Sequence, residues 1–115
     1  MRFISKDAHN ESSRYIEFIS NRKRVKMLVD DIVYIESRDT EVWLHSISGE
    51  CMSSRTNISS WADELGDGFV RIHRSFLVNT KCIKQITVSE VTLTVGTNLP
   101  ISRTYRGSFK KLISS

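Results

Sequence analysis

None of the apolar runs in this chain approaches the roughly 20 residues that a membrane-spanning helix needs. The start, Met1 to Asn10, is too polar to be the apolar core of a secretion signal. A cytoplasmic setting without a membrane partner is therefore the expectation. Cysteine is scarce too. Cys51 and Cys82 are the only two and follow no C-x-x-C spacing, so no redox pair is expected and both thiols are read as buried. His9, His45, His73 and the cysteines share no spacing that resembles a metal site, and the five glycines make no phosphate-cradling loop. His73 and Ser75 lie close in sequence, but no orienting carboxylate or oxyanion loop accompanies them. The expectation is a protein that is not an enzyme and carries no metal or cofactor. Low-complexity segments and internal repeats are also absent. With 115 residues, 39% of them hydrophobic, and a mean hydropathy of −0.26, the chain suits one globular domain.

The most telling shortage is of acid in the last third. Residues 71–115 hold eight Lys/Arg against one Asp/Glu, residues 31–70 hold two against eight, and residues 1–30 hold seven against four. The segments carry +7, −6 and +3, which add to the net +4. A polyanion would be drawn to one part of such a surface and repelled by another. Charge alone is equally compatible with a solvated basic face, so the motifs must decide.

Most of the chain reads as strand. Runs at Tyr15–Ser20, Val25–Val29, Ile32–Ser37, Val42–Ile47, Cys51–Ser53, Phe69–Ile72, Lys81–Thr87, Val91–Val95 and Leu99–Ser102 are rich in β-branched and aromatic residues. Val25/Met27/Val29 and Val91/Leu93/Val95 alternate with polar neighbours at the period of half-buried strands. Polar breaks such as Asn21-Arg22-Lys23, Arg38-Asp39-Thr40 and Ser48-Gly49-Glu50 separate them. The fold class expected is mainly β, built of layered short antiparallel strands. One short helix interrupts it at about 57–65, where Ile58, Trp61, Ala62 and Leu65 recur at helical spacing. Thr56 or Asn57 can cap its start and Gly66 with Gly68 can end it. A second helical turn is expected over Tyr105–Ile113, with Arg106, Lys110 and Lys111 exposed. Residues 1–12 read as a tail or linker remnant and 13–113 as the domain.

Two polar clusters sit among the strand-forming residues: His73-Arg74-Ser75, followed by Phe76-Leu77-Val78-Asn79, and Ser102-Arg103-Thr104-Tyr105-Arg106. Arginine, histidine and short hydroxyl side chains together suit a nucleic-acid surface. With these residues laid out, the chain resembles the LytTR family of bacterial DNA-binding domains, the LytR/AlgR type found as the output half of response regulators. The resemblance rests on three blocks in order: Ile32-Val33-Tyr34-Ile35-Glu36-Ser37; Asn57 to Leu65 followed by Phe69 to Asn79; and Pro100-Ile101-Ser102-Arg103-Thr104-Tyr105-Arg106. It implies a mainly β fold that reads duplex DNA through the loops between strands, two domains pairing on direct repeats, and control by a receiver domain. No receiver is expected within these 115 residues. Whether they are an excised output domain or a naturally short member stays open.

Each site candidate has a structural counterpart. Arg74 is the first choice for a bidentate contact to guanine, against a surface ion pair. His73 offers a ring nitrogen to phosphate or base, or packs at a strand end. Ser75 bonds a phosphate, or caps the turn. The resemblance favours base contact from Arg103 or Thr104 and backbone contact from Arg106. It places the turn Arg38-Asp39-Thr40-Glu41 in an adjacent major groove, although Asp39 and Glu41 repel phosphate. Arg71, Arg55 and Lys81 are candidate phosphate anchors. Asn79 is read as a turn former and Tyr105 as a packing residue. The partner expected is double-stranded DNA, bound by a domain that is monomeric in isolation. A protein-interaction regulator on the same fold, anchored by Trp43 or Trp61 on a sensor or polymerase, is the other reading. Single-stranded RNA binding ranks below it, because the aromatics sit within apolar runs rather than exposed on strands.

Overall fold

A strand whose consecutive residues are all apolar has no side to show to water and needs a packed layer on each face. Ile32-Val33-Tyr34-Ile35 is such a run, and in the computed structural model, which describes residues 14–107, it lies in the middle of the protein. The strands are β1 (Tyr15–Ser20), β2 (Lys23–Leu28), β3 (Ile32–Arg38), β4 (Glu41–Ser46), β5 (Cys51–Ser54), β6 (Phe69–His73), β7 (Phe76–Asn79), β8 (Ile83–Ile86), β9 (Glu90–Leu93) and β10 (Asn98–Pro100), with helix α1 (Ile58–Leu65) between β5 and β6. A five-stranded sheet in the order β5-β4-β3-β7-β6 forms the central layer. The β1-β2 hairpin and a three-stranded sheet, β10-β9-β8, complete an entirely antiparallel set of pairings.

The two faces of the central sheet carry separate cores. Ile32, Ile35, Val42, Leu44, Phe69 and Leu77 pack on Ile16, Phe18 and Met27 of the hairpin and on Ile58, Trp61 and Leu65 of α1. Val33, Val70, Ile72 and Val78 pack on Cys82, Val91, Leu93 and Leu99 of the other layer. A bulge in β3 between Ile32 and Tyr34 breaks the alternation. Val33 and Tyr34 therefore both belong to the second face, while Ile35 returns to the first.

Helix α1 matches the expected span. The Asn57 side chain accepts from the Ser60 N–H at 2.8 Å, and Gly66 closes the other end at φ 74°. Residues 103–107 are helical, which meets the start of the expected second helix, and the remainder of that stretch, including Lys110 and Lys111, lies outside the described residues. Among the described residues no helix is long and apolar enough to cross a membrane.

Three sequence expectations are corrected. Phe76–Asn79, not read as a strand, is β7, an interior strand between β3 and the edge strand β6; at four residues, with Leu77 and Val78 facing opposite cores, it has no periodic signal to show. Val95 is exposed rather than inward, because β9 stops at Leu93 and the chain turns through Gly96. Cys51 is exposed, and only Cys82 is buried.

Candidate nucleic-acid interface

Antiparallel registry decides which turns meet. Glu36 of β3 pairs with Phe76 of β7, and Phe76 pairs with His73 of β6, so the β3–β4 and β6–β7 turns leave the same end of the central sheet. The Ser37 N–H donates to the Ser75 carbonyl at 2.8 Å and joins them directly. The Ser102 N–H donates to the Ile72 carbonyl, also at 2.8 Å, and brings the last cluster to the same place. Three sequence segments that look unrelated along the chain thus form one surface. Arg38, Asp39 and Thr40 in the first turn, Arg74 in the second, and Arg103 and Thr104 in the third are all exposed, whereas Arg106 is half-buried.

Several of these residues hold the turns rather than face outward. The Arg71 guanidinium donates to the Arg74 carbonyl at 2.8 Å, to the His73 carbonyl at 3.3 Å and to the Ser59 hydroxyl at 3.4 Å, and lies 5.3 Å from the Tyr105 ring centre. It ties β6, the start of α1 and the 103–107 turn into one unit. His73 Nδ1 accepts from the Ser75 N–H at 3.1 Å, so the neutral ring carries its hydrogen on Nε2. Arg38 donates to Glu36 at 2.9 Å and lies 5.4 Å from the Trp43 ring centre.

The opposite end of the sheet has the reverse charge. There the Val29–Asp31 turn meets the β4–β5 turn through a 2.9 Å bond from the Ile47 N–H to the Asp31 carbonyl. Asp30, Asp31, Glu50 and Asp67 occupy the turns at this end. Lys81, expected as a phosphate anchor, lies here as well, 3.5 Å from Asp30, on the far side of the sheet from the arginines. Asn79, 2% exposed, acts as the turn former expected of it. Its Oδ1 accepts from the Lys81 N–H at 3.0 Å and its Nδ2 donates to the Ile32 carbonyl at 2.9 Å. Among the described residues no group of three or more His, Cys, Asp or Glu is arranged to hold a metal ion.

Residues 22–114 match the family model described as the LytTr DNA-binding domain. The chain belongs to the LytTR family. That family is one of DNA-binding domains, not of enzymes. The sensory transduction protein LytT of Bacillus subtilis is 32% identical over 88 residues, covering 72% of this chain and 36% of LytT. LytT of Oceanobacillus iheyensis is 39% identical over 66 residues, covering 54% of this chain and 27% of that protein. The chain thus spans about a third of the length of these relatives. A solved LytTr DNA-binding domain from Bacillus cereus superposes with a TM-score of 0.77 at 23% identity, covering 88% of this chain and 97% of that one, and the likeness shows a shared fold.

Beside the arginine end, this LytTR domain carries a cluster that the sequence reading missed. On the part of the second face formed by β3, β4 and β5, Tyr34 stacks on His45 with ring centres 4.1 Å apart and an interplanar angle of 8°. His45 Nε2 lies 3.2 Å from Glu36 Oε1, and the Cys51 Sγ lies 3.5 Å from His45 Nδ1. Burial pushes the Glu36 carboxyl up, but hydrogen bonds and charge from Arg38 and His45 bring it below the ordinary carboxylate value. Burial holds His45 below its ordinary value despite the pull of Glu36. The available signal was hairpin symmetry: His45 and Cys51 are directly opposed across the β4–β5 turn. The β1–β2 turn, read from the sequence only as the polar break Asn21-Arg22-Lys23, was not counted among the site candidates. Asn21 and Arg22 adopt positive φ, 53° and 68°, and the Ser20 hydroxyl lies 3.4 Å from that of Ser53. Arg22 and Arg55 consequently line one cleft, together with Glu41 and Glu64.

Proposed function

We propose that this domain binds double-stranded DNA in sequence-specific fashion as the output element of a transcriptional regulator, reading base edges through turns rather than through a helix. The observation that carries the reading is the convergence of three turns, bearing exposed Arg38, Arg74 and Arg103, on one end of a sheet whose other end is acidic. A charge pattern of that kind orients the domain in the field of a polyanion before contact. Helix α1 is a poor groove reader, since Asp63 and Glu64 are exposed on it.

In this reading Arg74 makes the bidentate contact to guanine, and Arg103 or Thr104 reads a second position. Arg38 with Thr40 approaches an adjacent stretch of groove, and Arg106 and Arg55 meet the backbone. Ser75 serves chiefly as the turn residue that Ser37 grips. His73 offers Nε2–H to a phosphate, because Nδ1 is already engaged. Arg71 acts by shaping the Arg74 turn, since its donors are directed at carbonyls and a hydroxyl. The binding unit is residues 13–113, with 1–12 as its tail. It is monomeric alone and pairs on direct repeats, under the control of a receiver domain or sensor partner. The relatives named for sensory transduction support such an input.

Selection of bound duplexes from a random library, followed by titration of the winner with the native chain and with Arg74→Ala at fixed salt, tests the proposal. Enrichment of paired direct repeats, with affinity lost in the variant, is the expected result. If no motif emerges and all duplexes bind weakly and alike, the domain is a protein-interaction module instead.

A further inference from the structure

The cluster around Cys51 meets the DNA reading only through Glu36, which accepts from Arg38 at 2.9 Å; His45 and Cys51 have no role in that reading. The geometry of the cluster places a nucleophile, a base and an orienting carboxylate in series. The Glu36 carboxylate, drawn below the ordinary range by its neighbours, is an acceptor only. The His45 nitrogen facing it at 3.2 Å, Nε2, must therefore carry the hydrogen. The other nitrogen, Nδ1, is left bare, and it faces the Cys51 sulfur at 3.5 Å. Tyr34, stacked on the imidazole, fixes the plane of the ring. Glu36 and His45 are half-buried, while Cys51 is exposed on the edge strand β5, where a small molecule can reach the sulfur. Cys82 has no comparable access.

We propose that Cys51, His45 and Glu36 form a thiol-modification site that captures a low-molecular-weight disulfide. As the Cys51 sulfur attacks one sulfur of the incoming disulfide, its proton passes to His45 Nδ1. The S–S bond of the incoming molecule breaks while the new S–S bond to Cys51 forms. The departing thiolate takes the proton from Nδ1 and leaves as a thiol. One thiol and one disulfide give one mixed disulfide and one thiol: the Cys51 sulfur is oxidised, the departing sulfur is reduced, and no other oxidant is needed. Glu36 is a positioning residue that acts through the tautomer of His45. The Arg38 guanidinium, 2.9 Å from Glu36, balances that carboxylate, so an uncharged disulfide suits the site.

The test is reaction of the full chain with an uncharged dipyridyl disulfide, with thiopyridone release read by absorbance and the adduct located by mass spectrometry. An ordinary thiol is only a few per cent ionised near neutral pH, so a base beside it can raise its rate by at most about thirtyfold. The expected result is an adduct at Cys51, formed about tenfold more slowly in His45→Gln and about threefold more slowly in Glu36→Gln. All three rates should converge in concentrated urea, where the geometry is gone. Native and His45→Gln rates within twofold of each other, a Cys82 adduct forming first, or a difference that survives in urea would each overturn the proposal. If circular dichroism shows that His45→Gln is unfolded, Glu36→Gln decides alone, and an unchanged rate there sinks the site.

Discussion

The two ends of the central sheet are made from the same five strands and differ in almost everything else. At one end the turns expose Arg38, Arg74 and Arg103. At the other, side chains are spent on the chain itself: Asn79 bridges β3 to the Thr80–Cys82 turn, Thr80 bonds the Gly68 carbonyl at 3.1 Å, and Lys81 faces Asp30. One end is stabilised by its own polar groups, and the other holds its polar groups ready for something else. What separates them is where the side-chain donors point. Two arginines at the open end are informative exceptions: Arg71 directs its donors back into the turns, and Arg38 pairs with Glu36 at 2.9 Å.

Salt breaks or sharpens this contrast most strongly. If the open end meets about five phosphates, log K falls against log salt with a slope near −4 to −5, so affinity drops by about 500-fold between 50 and 200 mM. A flat titration would remove the electrostatic basis of the comparison. Arg74→Ala comes next, with about 1–3 kcal/mol lost on the selected duplex and far less on random duplex. Equal losses on both would reduce Arg74 to a phosphate contact. At the closed end, Asn79→Ala leaves the Lys81 N–H and the Ile32 carbonyl without their partners and costs about 1–3 kcal/mol of folding stability, read from urea midpoints. DNA affinity of the folded fraction should hardly move.

Smaller effects follow. His45 titrates below its ordinary value of 6.5 in the folded domain, so the unfolded chain takes up a proton first as pH falls. Stability is complete above about pH 6.5 and is lost on acidification below it. The melting temperature should therefore drop between about pH 7.5 and 5.5. His45→Gln should flatten that part of the profile. Smallest of all is Lys81→Ala, expected to change duplex affinity by less than about twofold and stability by less than about 0.5 kcal/mol. A large affinity loss there would mean that DNA reaches both ends of the sheet.

What could be read from the sequence was local. The helix announced itself through Asn57, the spacing of Ile58, Trp61 and Leu65, and Gly66, because caps and a 3.6-residue period are properties of neighbours in the chain. The candidate turns were legible for the same reason, as polar breaks between apolar runs. What stayed hidden depends on register. β7 joins β3 to β6 yet spans four residues with no alternation, so only the pairing of Tyr34, Ile35 and Glu36 with Val78, Leu77 and Phe76 reveals it. Lys81 looked like any other basic residue of the last third until pairing assigned it an end of the sheet. Cys51 looked like a small buried apolar residue, and only its place opposite His45 on an edge strand exposes it.

The bulge between Ile32 and Tyr34 makes β3 one residue longer than its partner strand over this stretch. Val33 is the supernumerary residue: it lies opposite no residue of β4, and its side chain fills the second core beside that of Tyr34. A different aliphatic side chain at 33 would alter only local packing. Removing the residue would straighten the strand into plain alternation, with Ile32 and Ile35 keeping the first face and Tyr34 and Glu36 the second, and would leave the volume of Val33 empty. Val33 thus serves packing and not register, and its deletion should cost folding stability through that cavity while the faces of Ile35 and Glu36 stay as they are.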